Sequence, residues 1–154
     1  MKRFITAFFA IMILVTVAAS QTPAVRWRTT VKMTSPTEGT VTVRALIGQG
    51  WHLYGFELPD GGPKPTVFDF SKSKGVEFTG DVKPSVKPVS AVDPLFRKTL
   101  EWWDANVAFS RSFKVTDRAA AHIGLSIRYM ACDGNQCMPP KTENISVAVP
   151  EFKK

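Results

Sequence analysis

The chain is poor in the features that mark most function classes. It has only two cysteines, Cys132 and Cys137, so a disulfide framework can contain one bridge at most. A lone Cys-x4-Cys also lacks the second ligand pair of a structural zinc site. Helical periodicity is almost absent after residue 20, which sets aside a helical architecture. The 20 basic residues are scattered rather than run together, so the net charge of +7 does not describe a nucleic-acid surface. The 154 residues contain no internal repeat, low-complexity segment or linker, which limits the chain to a single domain.

What is present begins with an export signal. Lys2 and Arg3 precede an apolar run from Phe4 to Val17, and Ala18-Ala19-Ser20 supplies the small residues of a cleavage site. The run is short for a membrane span, which takes about 20 residues. Residues 1–20 therefore read as a cleaved signal peptide and 21–154 as the mature domain, exported to the periplasm or an equivalent compartment. Without Lys2 and Arg3 there remain 18 basic and 13 acidic residues, a net +5 that serves solubility. No membrane span is expected after cleavage. Outside the cytoplasm a cysteine pair can stay oxidised.

Alternation of apolar and polar residues then recurs along the chain. Val25, Trp27, Thr29, Val31 and Met33 share one face of a first strand, and Val41, Val43, Ala45 and Ile47 one face of a second. Further strands are expected at Trp51–Tyr54, Thr66–Phe70, Val76–Phe78, Leu100–Trp103 and Val107–Val115. Pro84 and Pro88 assign Val82–Val92 to a sheet edge or an extended loop. A last hairpin begins with Ile123, Leu125, Ile127, Tyr129 and Ala131 on its apolar face and returns through Ile145, Val147 and Val149. Many short strands separated by turns predict an all-β sandwich.

The cysteines flank Asp133-Gly134-Asn135, three residues that tolerate turn conformations. Cys132 alternates with Arg128 and Met130, which predicts that it lies on the more polar face of its strand. A hairpin there would bring the two sulfurs close enough to bridge. As a staple such a bridge constrains little. Chain entropy gives about 2 kcal/mol for so short a loop, against nearly 5 for about 100 residues. Spacing alone leaves a redox pair and an inert bridge nearly tied. A copper site built from the cysteines, Met130, Met138 and His122 is a weaker third reading.

A resemblance tips that balance. Tyr129 to Thr142, YMACDGNQCMPPKT, resembles the active-site hairpin of the N-terminal periplasmic domain of the thiol:disulfide interchange protein DsbD. Gly50 to Tyr54, GWHLY, is similar to that family's aromatic strand, and Asp93 to Thr99, DPLFRKT, to its cap loop. The turn departs from the best-known members, which carry one more residue between the cysteines. The resemblance implies an immunoglobulin-like β-sandwich that relays reducing equivalents to thioredoxin-fold partners in the periplasm. It implies that Cys137 forms the mixed disulfide and Cys132 resolves it. Phe96, with Leu95, would cover the disulfide, and Asp93, His52 and Tyr54 would line the site. Tyr54 is expected to be half core, with its hydroxyl at the surface. No cofactor and no metal are implied. Because the chain stops at Lys154, the electron donor is expected to be a separate membrane protein. The competing reading is a non-catalytic interaction module with a structural disulfide.

Overall fold

The computed structural model describes residues 23–153; the expected signal peptide, residues 1–20, and its boundary with the mature domain lie outside the described residues. The described chain holds eleven strands and no helix, hence none long and apolar enough to cross a membrane. They are β1 (Val25–Met33), β2 (Glu38–Ile47), β3 (His52–Tyr54), β4 (Val67–Asp69), β5 (Val76–Pro84), β6 (Val89–Val92), β7 (Thr99–Trp103), β8 (Val107–Val115), β9 (His122–Tyr129), β10 (Ala131–Cys132) and β11 (Lys141–Ala148).

Pairing is antiparallel throughout and produces three sheets, ordered β1-β2-β8-β5, β10-β3-β7-β6 and β11-β9-β4. The first sheet forms one layer of an immunoglobulin-like sandwich, and the other two together face it. One core joins them. Val41, Val43, Phe109 and Phe113 come from the first sheet, Leu53, Trp103 and Ala131 from the second, and Ile123, Leu125 and Ile127 from the third. The alternation predicted for the first strand is observed, with Val25 and Met33 buried and Arg26, Arg28, Thr30 and Lys32 exposed. Phe109 is the aromatic hub, its ring 4.9 Å from Trp103 and 5.0 Å from Phe68.

Two expectations change in detail and a third is resolved. The strand predicted at Val76–Phe78 runs on to Pro84, past a register shift between Thr79 and Lys83 that contains Gly80 at φ +67°. That irregularity interrupts the alternation without ending the strand. The segment Val82–Val92, expected at a sheet edge or in an extended loop, supplies both: the end of edge strand β5 with Pro84, a bend over residues 85–88 with Pro88, and edge strand β6. The predicted strand through Ala131 stops at Tyr129. The chain breaks at Met130 and resumes as β10, which leaves β11 behind and pairs with β3 in another sheet. That change of partner builds the site.

Candidate functional site

The second sheet has two buried faces. Register places Ala131 opposite Leu53 and Leu53 opposite Trp103, all three in the main core. One residue along each strand, the other face carries Cys132 opposite His52 and Tyr54 opposite Trp102, with Leu100 two residues from Trp102. Tyr54, Leu100 and Cys132 form a separate small core, and Leu58, Phe96, Trp102, Met130 and Cys137 pack against it. The disulfide thus lies outside the sandwich proper, on the reverse side of a strand that helps fill its interior.

Cys132 and Cys137 are bonded to each other, with Cα atoms 4.0 Å apart, as facing residues of a short antiparallel bridge. Asp133 N–H donates to the Gln136 carbonyl at 3.0 Å on one side of the pair, and Met138 N–H to the Ala131 carbonyl at 3.0 Å on the other. The cysteines therefore occupy a non-hydrogen-bonded position, where facing side chains approach most closely. Gly134 takes φ +87°, and Asp133 Oδ1 accepts from the N–H groups of Asn135 and Gln136 at 3.0 and 2.9 Å. These bonds hold the Asp133 carboxyl below the usual carboxylate range. The turn closes through the side chain of its first residue, which is how it manages with four residues between the cysteines.

The two sulfurs are unequal. Cys132 is fully buried, and Cys137 is half-buried. The expectation that Cys132 lies on the more polar face is corrected here. The face is polar along β9, but after the break at Met130 it is covered by residues from elsewhere in the chain.

One cover is the loop of residues 93–98 that joins β6 to β7. Asp93 is wholly buried and organises it. Its Oδ1 accepts from the N–H groups of Leu95 and Phe96 at 2.9 and 3.0 Å, and its carbonyl accepts from Arg97 N–H at 2.8 Å. Arg97 closes the loop at φ +54°, the only non-glycine residue with positive φ among those described. The ring of Phe96 stands edge-on to Tyr54 at 6.1 Å. Leu95 is 39% exposed and takes no part in the small core.

Asp93 Oδ2 also faces inward. The Tyr54 hydroxyl donates to it at 2.7 Å, and His52 Nε2 stands 3.6 Å away. Tyr54 is fully buried, so its hydroxyl does not reach the surface as expected; it is spent on Asp93. Burial, then the bond to Asp93 and its charge, push the tyrosine pKa far up, and the group stays a donor. Burial also pushes the Asp93 carboxyl up. Bonds from Tyr54, Phe96 and Leu95 and the nearby His52 outweigh it and leave the pKa below its ordinary value. His52 is lowered, because burial outweighs its acidic neighbours. Its ring lies 5.0 Å from that of Tyr54 and 5.2 Å from that of Trp102.

Of the residues singled out in the sequence, Cys132, Cys137, His52, Tyr54, Asp93 and Phe96 are brought together, and Leu95 points away. His122 is at the far end of β9, bonded to Ser146 at 2.8 Å. Leu100 and Leu58 were not foreseen. The sequence held a signal for the first, since Leu100, Trp102 and Trp103 put apolar groups on both faces of one short strand.

A family model described as "Thiol:disulfide interchange protein DsbD, N-terminal" matches residues 20–149. The chain belongs to this family. Among solved structures, the N-terminal periplasmic domain of ScsB from Proteus mirabilis aligns with a TM-score of 0.63 and 15% identity. That alignment covers 86% of this chain and 49% of the ScsB chain, so the protein spans about half the length of that relative. The N-terminal domain of Neisseria meningitidis DsbD in its reduced form aligns at 16% identity with a TM-score of 0.49, over 81% of this chain and 85% of that one. No curated protein sequence matches the chain. At 15% identity the likeness to ScsB speaks for the fold alone, and the family match for a thiol:disulfide interchange domain.

Proposed function

We propose that this DsbD N-terminal-family domain works in the periplasm, after removal of residues 1–20, relaying reducing equivalents through the Cys132–Cys137 disulfide to thioredoxin-fold partners. Its own electrons come from a membrane-bound thiol donor. The observation that carries this reading is the inequality of the sulfurs: Cys132 is fully buried and Cys137 half-buried, beside a small cluster against which Phe96 also packs. Exchange needs one sulfur that an incoming thiolate can reach and one that leaves.

In the charging step a donor thiolate attacks Cys137 Sγ. The Cys132–Cys137 bond breaks, its electron pair leaves on Cys132, and the donor's second thiol then displaces Cys137 to complete a two-electron transfer. In the delivery step Cys137 thiolate attacks a partner disulfide and forms a mixed disulfide. Cys132 then attacks Cys137 Sγ, restoring the internal bridge and releasing the partner with both electrons. Asp93, Tyr54 and His52 line the site, and Phe96 of the cap loop packs against the cluster that holds Cys132.

The test combines trapping with a reduction potential. Cys132→Ser leaves Cys137 without its resolving partner, and the variant is expected to accumulate mixed disulfides with thioredoxin-fold proteins of the periplasm. A native bridge that resists reduction to below about −300 mV, with a variant that traps nothing, would identify a structural staple instead.

A further inference from the structure

Breaking the disulfide puts a negative charge where the site is least able to bear it. Cys132 has no exposed surface, so water does not solvate the thiolate formed there. An unpaired buried charge is costly, and the usual outcome is a proton shift or a counter-charge. The charged groups acting on the neighbouring ring are all acidic: Asp93 of the cap loop, Asp104 after β7 and Asp133 of the cysteine turn. The Tyr54 hydroxyl is already committed to Asp93, and Trp102, the other ring packed on the imidazole, does not titrate. One group in this compartment can change its charge to match.

That group is His52. It is the direct cross-strand partner of Cys132. Its Nε2 is buried, makes no hydrogen bond, and stands 3.6 Å from Asp93 Oδ2, too far for a bond and near enough to become one. The side chain keeps 12% exposure, which leaves a route for a proton from solvent.

Building on the exchange function proposed above, we propose that His52 is a redox-linked positioning residue: neutral while the disulfide is closed, and protonated once reduction leaves a thiolate on Cys132. The imidazolium is then the cross-strand neighbour of the Cys132 thiolate and stands beside the Asp93 carboxylate. The proton comes from water as the electron pair arrives on Cys132, and it returns to water when Cys132 attacks the mixed disulfide and the internal bridge re-forms. A protonated His52 in turn favours the thiolate of Cys132, the species that performs the resolving attack. The three acidic neighbours that fail to protonate the ring in the oxidised protein are joined by a fourth negative charge in the reduced one. The sign is therefore upward on reduction.

The sequence contains two histidines, and His122, at the far end of β9, is an internal reference. The experiment is a pH titration of the ring resonances of the histidine-labelled, wild-type protein, oxidised and then reduced with dithiothreitol. His52 is expected to titrate at least about one pH unit higher after reduction, with His122 unmoved. Equal midpoints for His52 in the two states would overturn the proposal. A second measurement follows release of a mixed disulfide formed at Cys137 with a small aromatic thiol. His52→Gln should slow release several-fold near pH 7 and by distinctly less near pH 10, where the higher pH itself favours the thiolate. A uniform slowing at both pH values would mark a structural role and overturn the assignment. Because the reductant and the aromatic thiol are small molecules, neither result depends on a protein partner. Failure to trap one would count against the relay alone.

Discussion

Single side chains divide the work around the disulfide, and their substitutions should separate reactivity from stability. Phe96 is only partly buried, so Phe96→Ala should cost less than the 3–5 kcal/mol of a core phenylalanine. It should nevertheless raise the rate of disulfide reduction by a small thiol several-fold, followed by stopped-flow against the wild type. The reverse pattern, a large loss in urea unfolding with unchanged reactivity, would assign Phe96 to packing. Asp93 provides a pH signature. Its carboxyl is held below the ordinary value near 3.9, so its contribution to stability is complete above that value and fades as pH falls through the lower folded pKa. Thermal unfolding of Asp93→Asn from pH 6 to pH 3 should show a smaller decline than the wild type, starting from a lower plateau. The partners of Asp93 were named from the resemblance rather than from spacing. Residues 39 apart along the chain cannot be joined by periodicity, and only the pairing of β3 with β7 and β10 brings Tyr54 and His52 under the loop.

Regular elements were largely legible and their interruptions were not. Apolar alternation located β1, β2 and β8 because each buries one face against the core, the condition under which a period of two survives in sequence. It misjudged β5 and the end of β9. At both places the backbone does something local, a bulge around Gly80 and a break at Met130, which the flanking pattern does not announce. The burial of Cys132 was missed for the same reason. The sequence reports which face a residue shares with its neighbours, but not that a loop from forty residues upstream covers that face. Arg97 was equally hidden, since nothing in Asp-Pro-Leu-Phe-Arg-Lys announces a left-handed residue. Its φ of +54° yields an element-level prediction. Arg97→Gly should leave stability nearly unchanged, because relief of the left-handed cost is offset by unfolded-chain entropy. Arg97→Val, β-branched where branching is least tolerated, should lose about 1–2 kcal/mol in urea unfolding and loosen the cap.

The molecule as a whole does not depend on its cysteine pair. A loop this short is worth about 2 kcal/mol in the chain-entropy account, whereas truncating a buried aromatic costs about 3–5. The Cys132→Ser, Cys137→Ser double variant should therefore fold, with a urea midpoint lowered modestly. Phe109→Ala, at the aromatic hub, should destabilise more than loss of the disulfide does. A domain meant to pass through both oxidation states needs that order of energies, since each turnover opens the bridge. The three-residue strand β3 is what makes it possible. Leu53 looks into the sandwich, and His52 and Tyr54 look out to the disulfide, so adjacent positions on one short ribbon belong to two chemical compartments that share a wall. Potential and selectivity can then be retuned by exchanging every second residue, while the residues between them keep the body folded. The wall is also thin enough that an error of one position in register would exchange the compartments, placing a leucine beside the sulfurs and an imidazole in the core.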